Sequence, residues 1–447
     1  MTQFNKQRLT NRQIQLNRDG LRNGTYSDKY FANIAHILGQ LQKDDYRFSG
    51  QSARAVNADL SQVAVGNIEV EAQVFNRRAP YALVGGVDVA LTMLRHATGY
   101  FENGIFHETW QQLQVRATHD GTLTHYEGDA SHIEPVIIIR GKLRDFTLLE
   151  TPILGALSRA TRIATNVYNV LEVCNNKQVL FFPARFDWHE TQSLDGYAYW
   201  LAIQAHNAQR GGTLAPLVST DAQGAWWDGN GKGTIPHAYI ACFFADTAEA
   251  MRLFAQHMPL DTLRVALVDF NNDCVRDSLA TIAVFWDEYQ KALATGDESA
   301  QKRWTLDGVR LDTGGNMLDV SLKEADGRGV SEALVHTVRR ALDNAWTGWD
   351  VPENLIPTAQ AYCSGVKIVV SGGFNRERIA QFEKNHVPVD YYGVGSTLLT
   401  NDKTTNADFT MDVVRLRVGD TWVDMPKVGR APNDNPALAP IDLADFE

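Results

Sequence analysis

KIVVSGGF, residues 367–374, is a short β-branched run that stops on two glycines. Ile368, Val369 and Val370 suit a buried, pleated surface, and Gly372 and Gly373 permit a tight turn into the next segment. That segment has a helical pattern. The same order recurs along the chain. QVLFFPARF (178–186), HAYIACFFAD (237–246), RVALVDFNND (264–273), GVRLDTGG (308–315) and DYYGVGST (390–397) are each a short apolar run with a polar or glycine-rich tip. Helical patterns such as DTAEAMRLFAQHM and SEALVHTVRRALDNA lie between them. Strand then helix, repeated, predicts parallel strands with helical crossovers, as an open doubly wound sheet or a closed barrel. In both, chemistry collects at the carboxyl ends of the strands. The tips there carry Arg185, Asp269, Asn271, Asp312, Gly314, Gly315, Gly372, Gly373, Gly393 and Gly395.

The flanks differ. YFANIAHILGQL has helical spacing, QVAVGNIEVEAQVF (62–75) alternates as a strand, and residues 83–99 read as helix. FHETWQQLQVRATHDGTLTHYEG (106–128) predicts a strand pair turning at HDGT, and PVIIIRG (135–141) a buried strand. Residues 147–173 predict a long helix interrupted near Pro152. After 400 the chain returns to strands in FTMDVVRLRVGD and ends in a Pro-rich acidic tail. The expected division is an N-terminal α/β domain over 1–150, a barrel over 151–400, and C-terminal strands and tail over 401–447 packing on the N-terminal domain.

The chain has 447 residues, 44% of them hydrophobic, enough for a large core. Its net charge of −11 argues against non-specific binding to nucleic acid or anionic membrane. Cys174, Cys242, Cys274 and Cys363 form no CxxC pair. A disulfide framework or zinc site is therefore not expected, and a reducing cytoplasm is. The polar start lacks the apolar core of a secretory signal, and no window reaches the roughly 18 apolar residues of a membrane span.

Each tip has a functional and a structural reading. SGGF and GVGS offer free backbone amides for a phosphate, or are only tight turns. Arg310 and Asp312 lie two apart and so share a strand face. They suit an anion and sugar hydroxyls or a cation, or else form an internal ion pair. Phe182 beside Arg185 suits a flat anionic ring, or packs in the core. Asp269 sits where a Mg²⁺ ligand or a helix cap is found. His237, in GKGTIPHAYI, is a lone histidine before an apolar run, which more often marks a structural residue than a catalyst.

Together, GTIPHA, VRLDTGG, IVVSGGF and YYGVGST, in this order, resemble nicotinate phosphoribosyltransferase, most closely its archaeal-type branch. The resemblance runs from SDKYF at 27 to KVGR at 430. It implies an irregular (β/α) barrel of the type II phosphoribosyltransferase kind with an additional α/β domain. It implies phosphoribosyl pyrophosphate (PRPP), nicotinate and ATP as substrates, Mg²⁺, and at least a dimer with shared sites. By motif, Phe182 and the partner chain's counterpart of Tyr30 would sandwich the pyridine ring. Arg185 and Arg310 would hold anionic groups, and Asp312 the ribose hydroxyls. The SGGF and GVGS loops (Gly372, Gly373, Gly393, Gly395, Ser396) would take the 5′-phosphate. Asp269 would sit near Mg²⁺–pyrophosphate. Thr234 belongs to a phosphate-accepting loop, and His237 matches the histidine that ATP phosphorylates. Relatives commonly carry two adjacent arginines where this chain reads Arg185–Phe186. The competing readings are a nicotinamide or quinolinate enzyme of the same type, and a barrel lyase or isomerase. A Schiff-base version of the last needs a lysine at a strand tip, which these runs lack.

Overall fold

A computed structural model describes residues 7–52, 54–55 and 59–447. Its frame is two six-stranded sheets, one antiparallel and one parallel. In the antiparallel sheet Glu69–Asn76 lies between Phe409–Val418 and Pro135–Lys142, with Val74 opposite Met411 and Ala72 opposite Ile139. Val70, Ala72 and Val74 are buried against the helix Val87–Ala97 and the start of the helix Glu150–Leu171. C-terminal strands therefore complete an N-terminal sheet. The tail joins it as well: Ala439–Ile441 pairs with Gln114–Ala117, and Leu443 and Phe446 are buried in the same core.

The parallel sheet runs Val265–Leu267, Gly308–Leu311, Lys367–Val370, Tyr391–Val394, Gln178–Phe181, Leu217–Val218. Side chains alternate across it. Val179, Phe181, Ala266, Val309, Leu311, Ile368, Val370, Tyr392 and Val394 enter the core beneath the crossover helices. Leu180, Leu217, Val265, Arg310, Val369, Tyr391 and Gly393 face the opposite way, into one shared cavity. A sheet whose six strands line a single cavity is curled. Its edge strands do not pair with each other, so it is a half-barrel rather than a closed ring. The helix Glu150–Leu171 ties the two halves together, with Ile153 and Leu157 in one core and Ala160, Ile163, Ala164 and Val167 in the other.

Four expectations are corrected. HAYIACFFAD is not a strand: His237–Ala241 is a single α-helical stretch, closed by left-handed Phe244 and Ala245. Its alanines favour helix, and Pro236 before it cannot donate to a sheet ladder. The sixth strand is instead Leu217–Val218. Residues 106–128 do not form a hairpin: Gln114–Ala117 joins the large sheet, while Leu123–His125 pairs with Tyr81–Leu83. Pro152 does not interrupt the long helix. It lies in the first turn of Glu150–Leu171, where an amide would have no helical acceptor anyway. The alternating run at 62–75 is strand only from Glu69, after a short turn at Val65–Asn67. Among the described residues, no helix is long and apolar enough to cross a membrane.

Candidate active site

The cavity inside the curled sheet has a volume of about 1050 Å³ and is lined from the starts of the strands to the residues just beyond their carboxyl ends. A closed eight-stranded barrel fills its interior with side chains. Here that space is left open. Phe182, Arg185, Thr234, Arg310, Asp312, Gly372, Gly373, Gly393, Gly395 and Ser396 all line it. Residues from distant parts of the chain thus share one concave surface.

Arg310 and Asp312 project from the same face of one strand, as their spacing requires. Ser371 Oγ donates to Asp312 Oδ1 at 2.8 Å and fixes that carboxylate beside the glycine turn. The buried Nε of Arg310 has no hydrogen-bond partner. Burial lowers the Arg310 pKa from its usual value, with Asp312 and Asp269 opposing and the positive charge of Arg185 adding to the fall. A buried, incompletely bonded guanidinium is costly to fold around, and an incoming anion would relieve that cost.

The glycine tips serve two purposes. Gly372 and Gly373 are both left-handed, at φ 85° and 76°, a geometry that favours glycine. Gly393 and Gly395 instead make room. A Cβ on Gly393 would come within 2.9 Å of the Phe182 ring, and one on Gly395 within 2.8 Å of the Phe186 ring. The amides of Gly372, Gly373, Phe374, Gly395, Ser396 and Thr397 donate to no protein acceptor among the described residues, and all six residues line the cavity. Clustered free amides of this kind form an anion cradle.

His237 sits at the cavity's edge, just after lining residues Thr234, Ile235 and Pro236. Its Nε2 lies 3.0 Å from both oxygens of Asp269. Burial raises the Asp269 pKa and Asp312 adds to this, while His237 lowers it. The Asp269 carboxylate therefore lies within electrostatic reach of Asp312. An ionised carboxylate at Nε2 selects the tautomer with hydrogen on Nε2 and leaves the Nδ1 lone pair free. The nearby Asp273 acts as a helix cap, accepting from the Arg276 amide at 3.0 Å.

Tyr30 does not reach this cavity in its own chain. It is exposed on the helix Lys29–Lys43, where its hydroxyl donates to Asp28 at 3.3 Å. Lining residues that the motifs did not single out are Ser371, Lys232, Phe186 and Thr397 near the mouth, with Asp307, Lys367 and Tyr362 at the other end. Ser371 and Lys232 stand inside the sequence motifs, so adjacency could have found them. Lys367 begins its strand and pairs with Asp390 at 3.3 Å, away from the tips. Among the described residues, no group of three or more His, Cys, Asp or Glu residues is placed to hold a metal ion alone.

No family model matches the chain. Among solved structures, the fold is similar to that of nicotinate-nucleotide pyrophosphorylase from Pyrococcus furiosus. That match has a TM-score of 0.62 and 23% identity, covering 94% of this chain and 81% of the other. Human nicotinic acid phosphoribosyltransferase is similar at a TM-score of 0.51 and 15% identity, covering 90% of this chain and 76% of the other. With both, this chain shares a mixed α/β fold with a curled parallel half-barrel.

Proposed function

We propose that the protein is a nicotinate phosphoribosyltransferase of NAD biosynthesis. It joins nicotinate to PRPP, giving nicotinate mononucleotide and pyrophosphate, and hydrolyses ATP. One observation carries this reading: Arg310, Asp312 and both glycine tips open onto one cavity, with the His237–Asp269 pair at its edge. The names of the two similar structures support the coarser part of this reading, a phosphoribosyltransferase in nicotinate nucleotide chemistry.

In this reading the free amides of the two glycine tips hold the 5′-phosphate. Asp312, oriented by Ser371, accepts from the ribose hydroxyls. Arg185 and Arg310 hold the pyrophosphate and the nicotinate carboxylate. Phe182 stacks on the pyridine ring, and Tyr30 of a second subunit closes the other face. The pyridine nitrogen attacks C1′ as the bond to pyrophosphate breaks. No strong base is needed, because the nitrogen lone pair is already free. Catalysis then consists of orienting the ring and stabilising the departing charge.

Asp269, within electrostatic reach of Asp312, suits Mg²⁺, which uses one or two carboxylates together with substrate phosphates. When bound there the ion neutralises charge on the leaving pyrophosphate. ATP meets His237: the Nδ1 lone pair attacks the γ-phosphorus, the bond to the β,γ-bridging oxygen breaks, and ADP leaves; water then attacks the phosphorus, the P–N bond breaks, and inorganic phosphate leaves the restored imidazole. Asp269 holds the ring by its Nε2 hydrogen. All four cysteines are free, which suits the cytoplasm.

The decisive test is an assay of the purified protein with PRPP and each of nicotinate, nicotinamide and quinolinate, with and without ATP. Turnover of nicotinate, stimulated by ATP, is expected. Turnover of quinolinate or nicotinamide instead would replace the substrate assignment, and no turnover with any base would reject the reading.

A further inference from the structure

Phe186 is an aromatic ring left 48% exposed at the mouth of the cavity. Water does not favour such a placement, so the ring's two contacts matter. On one side it lies on Gly395, closer than any side chain there would permit: a Cβ would meet Phe186 Cε2 at 2.8 Å. On the other, the Arg185 guanidinium sits 5.2 Å from the ring centroid, within cation–π range. The turn holding both residues is braced. The Phe186 amide donates to Pro183 O at 2.8 Å, and Arg159 holds the next residue, Asp187, at 2.7 Å. No ion pair to a carboxylate holds Arg185 among the described residues. Its charge nevertheless acts on Arg310 across the cavity.

We propose that Phe186 is a positioning residue for anion binding. Seated on Gly395, its ring holds the Arg185 guanidinium over the cavity in the pose that meets pyrophosphate. This rests on the proposed function, in which the cavity takes a pyrophosphorylated donor. It adds that Gly395 is required as a seat for the ring as well as for its amide.

The test is calorimetric titration of the full-length protein with inorganic pyrophosphate. Phe186→Ala should weaken binding about five- to tenfold, the scale of one partly desolvated cation–π contact. Phe186→Trp should restore it. Phe186→Leu, which keeps the volume but not the π face, should resemble the alanine variant and guards against a packing effect. Phe186→Ala combined with Arg185→Ala should bind no more weakly than Arg185→Ala alone, because the ring acts through the guanidinium. Unchanged affinity in Phe186→Ala, full additivity in the double variant, or no pyrophosphate binding by the unaltered protein would each overturn the inference. Absence of turnover with every pyridine base would count against the proposed function instead, since the coupling is read from pyrophosphate alone.

Discussion

His237 Nε2 stands 3.0 Å from both oxygens of Asp269, and Asp269 is in turn electrostatically linked to Asp312 on the neighbouring strand's tip. The phosphate-accepting histidine of the proposed reaction is thereby tied to the carboxylates that face the ribosyl donor. A change of charge at His237 would be felt in the cavity through Asp269.

His237→Ala should abolish ³²P transfer from γ-labelled ATP to the protein while leaving slow turnover without ATP. Asp269→Asn should retain the imidazole but lose control of its tautomer, lowering phosphorylation by roughly 100-fold or more. Full ATP stimulation in His237→Ala would remove the phosphohistidine from the mechanism.

Arg310 offers a test in which stability and activity move in opposite directions. Its Nε is buried without a partner, so the folded protein bears that cost in the absence of an anion. Arg310→Met should melt at the same temperature or higher, yet lose turnover by roughly 100-fold or more. A variant that melts lower and keeps its kcat/KM would show that the guanidinium is structural.

Tyr30 lies outside the cavity of its own chain, on a helix whose Tyr30, Ile34 and Ile37 are exposed at helical spacing. If a second subunit takes this face, Tyr30→Ala should impair catalysis from a distance. Tyr30→Ala and Arg310→Ala, each strongly impaired alone, should then recover to about a quarter of wild-type activity after mixed refolding, because half of the resulting dimers carry one intact site. No recovery from a mixture shown to form mixed dimers would leave Tyr30 without a role in the site.

The motifs were legible where chemistry is local to a strand tip. The two-residue spacing of Arg310 and Asp312 fixed their shared face, and the glycine pairs marked the turns. Contacts between distant segments were not legible. Gly393 and Gly395 read as amide donors, yet they also make room for Phe182 and Phe186 from another strand and its loop. HAYIACFFAD misled because apolar runs of that length suit either helix or strand. The true sixth strand, Leu217–Val218, is too short to carry any period. Its place is set by its neighbour, with Phe181 opposite Val218.

Glu150 gives the fold a dependence on pH. Burial pushes its pKa up from 4.5 to about 7, with Asp412 and Asp28 adding to the rise. A raised carboxylate pKa means that the folded state takes up a proton the unfolded chain does not. The resulting stability is fully present below pH 4.5 and is lost as pH rises through about 7. The full difference amounts to about 3 kcal/mol at most. Glu150→Gln removes the titration, so its gain in melting temperature over wild type should be small at pH 5 and clear at pH 8.5. An equal gain at both values would show that Glu150 titrates normally. The consequence reaches the Tyr30 helix. Thr151, next to Glu150, donates to Asp28 at 3.1 Å, and Asp28 also receives the Tyr30 hydroxyl. Neutralising Glu150 removes a repulsion from the carboxylate that anchors the start of that helix. If Tyr30 serves a neighbouring site, Glu150→Gln should also sustain activity to higher pH than wild type.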